Sequence, residues 1–155
     1  MLASNLDRKK YKNICLIESN SKIGQKIKVS GGAKCNITNE FVKSSNYLGD
    51  RDFAKYILDN FSKDYLLKFL NKNNLFPKIN PKIVKGTYFC NSSQDVIDMF
   101  SLLTTHIKKF LDTKVLDIFH KDFFTILTNK GNIEAKKVVV ASGGLSYTTL
   151  GASSI

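Results

Sequence analysis

The sequence is short of the residues that most directly announce a function. It has three cysteines, two histidines and two prolines in 155 residues. Cys15, Cys35 and Cys90 are an odd number at spacings of 20 and 55, which fits neither a zinc-ligand pattern nor a disulfide framework, so they read as free thiols and no metal is expected. His106 and His120 have no carboxylate and serine at a motif spacing. Gly144-Leu145-Ser146-Tyr147-Thr148 lacks the second glycine of a nucleophile elbow, which leaves a hydrolase without support. No apolar run approaches the roughly 18 to 20 residues of a membrane span, so no membrane partner is expected. Met1 to Arg8 has no apolar stretch after a basic one, so it does not read as a secretory signal and a cytoplasmic location is expected.

Charge of one sign is abundant, yet arginine is scarce. Lysine plus arginine number 24 against 13 acids, a net of +11, a balance that suggests a polyanion partner. The excess is spread evenly: 9 bases and 4 acids in residues 1–50, 8 and 5 in 51–100, 7 and 4 in 101–155. Only Arg8 and Arg51 are arginines, whereas base-edge readout and bidentate phosphate clamps favour that side chain. A solvated lysine surface is therefore preferred to nucleic-acid binding.

Leu2, Ala3 and Leu6 predict the remnant of a helix, and residues 13–17 running into Glu18 predict a short strand buried on both faces of a parallel sheet. Phe53, Tyr56, Ile57, Phe61, Leu66, Leu67 and Leu70 recur at helical spacing, giving two helices with a break near Ser62, ended by Pro77 and Pro81. Residues 82–90 alternate like a strand. Ser92 or Ser93 caps a helix over 94–110 with Asp95 in its first turn. Residues 114–119 and 122–128 predict strands, and the polar turn 129–132 leads into 133–135 as a hairpin. Three valines in 137–144 run into a glycine pair, which predicts a buried strand opening onto a ligand crevice. The expected class is α/β, with parallel strands at both ends and an antiparallel β excursion between them.

Glu18 carries the first functional indication. In a dinucleotide-binding βαβ unit a glycine-rich turn opens the helix, and a carboxylate about 20 residues later, at the tip of the second strand, accepts hydrogen bonds from the adenosine ribose. Glu18 sits at such a tip, and counting back reaches Met1 without meeting the phosphate loop. Directly after it, residues 24–39 place Gly31 and Gly32 among small polar residues. Glycines let backbone N–H groups approach a ligand and converge on an anion. Lys34 adds positive charge for a pyrophosphate or a reduced flavin, and Asn36 and Thr38 offer side-chain donors.

Three segments in order resemble one family. Residues 14–39 are similar to the segment of YhiN-like (BaiN-type) FAD-dependent oxidoreductases that reads L-L-E-K-N-x-x-x-G-R-K-I-x-x-S-G-G-G-R-C-N-x-T-N. Residues 86–96 are similar to its G-R-V-F-P-x-S-x-x-A-x-x-V, and residues 138–151 to its V-V-L-A-T-G-G-x-S-Y-P-x-x-G. The S-G-G-x-x-C-N-x-T-N string is the most discriminating; residues 52–85 match only by pattern. The resemblance implies a Rossmann-like FAD/NAD(P)-binding domain of the glutathione-reductase type. It implies Glu18 on the adenosine ribose, Ser30, Gly31, Gly32, Lys34, Cys35 and Asn36 along the flavin and pyrophosphate, with Lys26 and Thr38 in the same set. It also implies Val115 beside the adenine, and Ala141, Ser142, Gly143 and Gly144 closing over the dinucleotide. The isoalloxazine would carry the electrons, with NAD(P)H or a small organic substrate as its partner, and no side chain is assigned catalysis.

The departures are informative. Gln25 stands for the family's arginine, Ala33 for its third glycine and Lys34 for a second arginine, so a bidentate clamp becomes a point charge. Cys90 and Thr148 stand where it has proline, and the stretch between Phe110 and Val115 is shorter. The family's opening strand and G-x-G-x-x-G loop are expected upstream of Met1, and its substrate domain and last FAD-binding segment downstream of Ile155. Residues 1–155 then read as an incomplete FAD-binding domain that alone binds FAD poorly, with two sheet edges facing the gap of a missing strand. Two other readings stay open. One is a non-catalytic remnant, inert or completed by a second chain; the other is a basic nucleic-acid binder. A thiol role for Cys35 also stays open.

Overall fold

The computed structural model describes residues 1–81 and 85–143. They divide into two compact units, one formed by Met1–Lys26 with the chain from Phe100 onward, the other by Ile27–Met99.

In the first unit a single helical turn, α1 (Leu2–Asn5), precedes β1 (Cys15–Ile17). β1 pairs in parallel with β5 (Lys108–Phe110), in the register Cys15↔Lys108, Leu16↔Lys109 and Ile17↔Phe110. The pairing runs on past the strand ends, because the Glu18 amide donates to Phe110 O at 2.9 Å and the Thr113 amide to Glu18 O at 3.0 Å. β6 (Val115–His120), β7 (Phe124–Thr128) and β8 (Gly131–Ala135) follow as an antiparallel meander. Ile118, Ile126 and Ile133 are in register on one face, and Ile126 is buried there. The alternation of apolar and polar residues along these strands selects that face. His120 ends β6 with its ring 4.4 Å from that of Phe124.

In the second unit, α3 (Arg51–Asn60) and α4 (Lys63–Lys72) are separated where the sequence predicts. The Ser62 hydroxyl accepts from the Tyr65 amide at 3.2 Å and the Asp50 carboxylate from the Phe53 amide at 2.9 Å, so each helix begins at a side-chain cap. Beyond α4 and its cap Asn73, Asn74 with a φ of +60° turns the chain so that the Leu75 amide reaches Leu70 O at 3.0 Å. Leu70, 1% exposed, is the most enclosed apolar side chain among the described residues, and Ala54, Leu75, Phe89, Val96, Ile97 and Met99 are buried as well. A three-stranded antiparallel sheet has β4 (Thr87–Phe89) between β2 (Asn36–Asn39) and β3 (Lys78–Ile79). α2 (Gln25–Val29), a single 3-10 turn at Ser44–Asn46 and α5 (Ser93–Leu103) complete the elements among the described residues.

Four sequence expectations change. β1 is not buried on both faces: Cys15 is exposed and its neighbours half-buried, because β5 is its one ladder partner among the described residues. The helix expected over 94–110 stops at Leu103. There the Thr104 hydroxyl folds back onto Phe100 O at 2.6 Å, His106 falls in the following turn, and residues 108–110 become β5. The strand expected over 82–90 is confined to Thr87–Phe89, with residues 82–84 outside the described set. Val138 to Val140 form no strand: Val139 and Val140 are 66% and 61% exposed. A valine run stays in a buried strand only when ladders on both sides take up its backbone groups.

Candidate functional site

In the first unit the turn after β1 is organised by Glu18. One carboxylate oxygen accepts from the Asn20 amide at 2.8 Å, from the Asn20 side-chain nitrogen at 2.7 Å and from the Ser19 hydroxyl at 3.4 Å. Among the described residues the other oxygen accepts nothing, so the half-buried carboxylate is fixed by one oxygen and open at the other. Lys26, at the start of α2, donates to Ser142 O at 3.3 Å, and its ammonium lies 3.1 Å from where a Cβ on Gly143 would stand. The structure therefore brings Lys26, Ser142 and Gly143 together. Ala141 adjoins them, exposed, and Gly144 lies outside the described residues. Val115 opens β6 opposite Thr128 and is half-buried. An open hollow of about 320 Å³ is lined by Phe110, Thr113, Thr128, Lys130, Gly131 and residues that follow, and Val115 is not part of its lining.

In the second unit the chain from Ser30 to Asn36 forms a left-handed loop. Gly31, Gly32 and Ala33 have φ of +59°, +60° and +67°, and Cys35 has +57°. A Cβ on Gly31 would overlap the Asn36 side-chain oxygen, whereas one on Gly32 would meet nothing within 4 Å. Glycine is needed at 31 for space and at both positions for φ, while Ala33 accepts a strained conformation. The loop is cross-braced: the Cys35 amide donates to Ser30 O at 3.0 Å, the Asn36 amide to the Ser30 hydroxyl at 3.3 Å, and the Lys34 amide to Gly31 O at 3.2 Å. The amides of Gly32 and Ala33 find no acceptor among the described residues. They are free to meet an oxygen-bearing ligand. Lys34 is exposed, Cys35 is buried, and Thr38 pairs with Tyr88 in the sheet.

Residues not singled out for the site hold this loop in place. The Ser93 amide donates to Ala33 O at 2.7 Å, its hydroxyl to Lys28 O at 3.1 Å, and the Cys90 amide to Lys34 O at 3.0 Å. Ser93 is thus a brace as well as the first residue of α5. No spacing rule links position 93 to 28 and 33, although both lie in the segments that resemble one family. Burial raises the thiols of both Cys35 and Cys90, the latter to about 11 with further contributions from Cys35 and Asp95.

A parallel strand pair with a carboxylate at one strand tip, a glycine loop later in the chain and an antiparallel meander fit a Rossmann-like α/β domain. The profile described as "HI0933-like protein Rossmann domain" matches residues 1–155, and the chain belongs to that family. It is similar to the ribosomal RNA dihydrouridine synthase of Escherichia coli K12, 32% identical over 99% of this chain and 39% of that protein. It is also similar to the 3-dehydro-bile acid delta(4,6)-reductase of Clostridium scindens, 27% identical over 89% of this chain and 34% of the relative. The ribosomal RNA dihydrouridine synthase of Haemophilus influenzae is 27% identical over 92% of this chain and 37% of its own length. The chain thus spans between about a third and two-fifths of the relatives' length. Among the described residues no helix is long and apolar enough to cross a membrane.

Proposed function

We propose that residues 1–155 are an incomplete FAD-binding domain of a flavin-dependent oxidoreductase. The observation that carries this reading is the left-handed loop at Gly31 to Cys35, with its unclaimed Gly32 and Ala33 amides and an exposed lysine, in a chain of the HI0933-like family. The donor set suits the group. The open oxygen of Glu18 is an acceptor for ribose hydroxyls, Lys26 and Lys34 are cations for phosphate, and Asn36 and Thr38 offer donors to ring or ribitol oxygens. Val115 and Ala141 to Gly144 join the set by resemblance.

FAD would supply two-electron chemistry, accepting or giving a hydride from a nicotinamide cofactor or an organic substrate. The residues of this chain bind and orient. Glu18 fixes the adenosine end, the glycine loop presents backbone N–H groups, and the lysines offset negative charge without a proton-transfer role. A partner chain carrying the family's G-x-G-x-x-G segment would complete the phosphate site. The test is coexpression of the chain with such a segment, followed by incubation with FAD and desalting into buffer without FAD. Retained yellow colour only in the combined sample supports the reading; colour in neither sample contradicts it.

A second reading concerns the substrate. Two relatives are named for ribosomal RNA, the chain carries +11, and Phe53, Tyr56 and Tyr65 are exposed in the second unit near lysines in sequence. Exposed aromatics stack on unpaired bases and lysines follow phosphates. An RNA substrate requires binding that weakens steeply with salt. Salt-insensitive or absent binding removes it.

A further inference from the structure

α3 has two apolar sides. Ala54 and Leu58, one turn apart, face inward, Ala54 buried and Leu58 half-buried. Phe53, Tyr56 and Ile57, at the i, i+3 and i+4 spacing of a single helix face, are all exposed, the two aromatics at 63% and 64%. Phe61 continues that face at the end of the helix, and its ring lies 5.1 Å from that of Tyr65 in the first turn of α4, both residues exposed. A surface helix needs one apolar side, and Ala54 with Leu58 already supply it. The outward side is covered by nothing among the described residues.

Area and charge point to what covers it. With aromatic side chains of about 150 to 250 Å² each, the five residues together leave about 500 Å² open. A standard interface takes about 800 Å² from each partner, about 65% of it apolar where identical chains meet, so the face matches that apolar share. The chain carries +11, which repels a second copy wherever the excess lies. Residues 50–65 lack that excess: Arg51, Lys55 and Lys63 stand with Asp50, Asp52, Asp59 and Asp64, three bases against four acids and a net of −1. Lys55 and Asp59 are paired at 2.6 Å, and Lys63 lies 3.7 Å from Asp64. Balanced charge of both signs suits a surface that meets its own copy, because each sign finds the other across a two-fold axis. It does not suit a polyanion, although an RNA strand would stack on the same aromatics.

We propose that the outward face of α3, with Phe61 and Tyr65, joins two copies of this chain in a two-fold symmetric dimer. The inference stands apart from the flavin reading, since it needs only α3 and the start of α4, both within the second unit. It competes with the RNA reading for these side chains, because a covered face cannot stack on bases.

The test is sedimentation equilibrium of the full chain across the micromolar range. The expected mass rises from 17.4 kDa to twice that value and stops there, since an isologous contact closes on itself. Hydrogen exchange at low and high concentration should show protection that grows at residues 53–65 and stays constant in the β6–β8 meander. Tyr56→Lys sets two like charges against each other across the axis and should raise the dissociation constant at least about tenfold. Leu102→Lys, at another exposed apolar position on α5, should leave it unchanged. Four results overturn the proposal: a mass of 17.4 kDa throughout, a mass that keeps growing beyond two copies, the same effect from both lysine variants, or a monomeric chain that binds oligouridylate and loses the binding in Tyr56→Ala. The exchange pattern of the unsubstituted chain decides even if a variant fails to fold.

Discussion

Replacing Gly31 with alanine tests whether the left-handed loop has the geometry assigned to it. Two costs apply at Gly31. A φ of +59° costs an alanine about 1 to 2 kcal/mol, and its Cβ overlaps the Asn36 side-chain oxygen while lying 3.0 Å from the Asn36 amide nitrogen. Rotating the Asn36 amide relieves the first clash but not the second, which adds about 1 kcal/mol or more in strain. Against these, alanine lowers the entropy of the unfolded chain by about 0.4 to 1 kcal/mol. Gly31→Ala is therefore expected to destabilise by about 2 kcal/mol. Gly32→Ala, with φ +60° and open space around the Cβ, bears only the conformational cost and should lose about 1 kcal/mol or less. At about 2 to 4 °C per kcal/mol for a chain of this size, Tm should fall by about 4 to 8 °C for the first variant and about half that for the second. The assay is thermal unfolding followed by circular dichroism, with urea midpoints as a cross-check. Equal losses at the two positions would refute the claim that Asn36 closes over Gly31.

Leu70→Ala should cost about 3 kcal/mol, measured by urea unfolding, because the leucine is 1% exposed and its removal leaves a cavity. Ser62→Ala should cost about 1 kcal/mol by the same measurement, since the Tyr65 amide loses its cap at the start of α4. The Cys90 thiol is raised from 9.0 to about 11, first by burial and then by Cys35 and Asp95. Folding therefore favours the neutral thiol, and this contribution to stability is intact below pH 9 and lost as pH rises from about 9 through about 11. The unfolding free energy measured across that window should fall less for Cys90→Ser than for the unsubstituted chain.

Local features were legible wherever one stretch of chain sets its own structure. The break at Ser62 could be read because a serine before a helical pattern is a capping signal, and the β6 to β8 meander because apolar residues alternate between turn residues. What was hidden depends on distant partners. Ile107 and Phe110 continue the helical spacing of α5, and only β1, more than ninety residues earlier, makes residues 108–110 a strand. The short β3 between Pro77 and Pro81 likewise exists through β4. Val138 to Val140 show the converse, since a valine run specifies a buried strand only where neighbouring ladders are present. In the candidate site, Glu18, Gly31 and Gly32 were visible as residue types in a pattern. The open oxygen of Glu18, the tie from Lys26 to Ser142 and the Ser93 brace require coordinates, because no sequence spacing encodes them.

The central claim is that these residues were shaped for an adenine dinucleotide, and backbone amide NMR during an FAD titration tests it most directly. The account requires shifts concentrated at residues 18–20, 26, 30–36 and 141–143, with the Gly32 and Ala33 amides among the most displaced, and AMP reproducing the changes near Glu18. Shifts confined to the β6–β8 meander or to α3, or no shifts at FAD concentrations that saturate family members of full length, would contradict it.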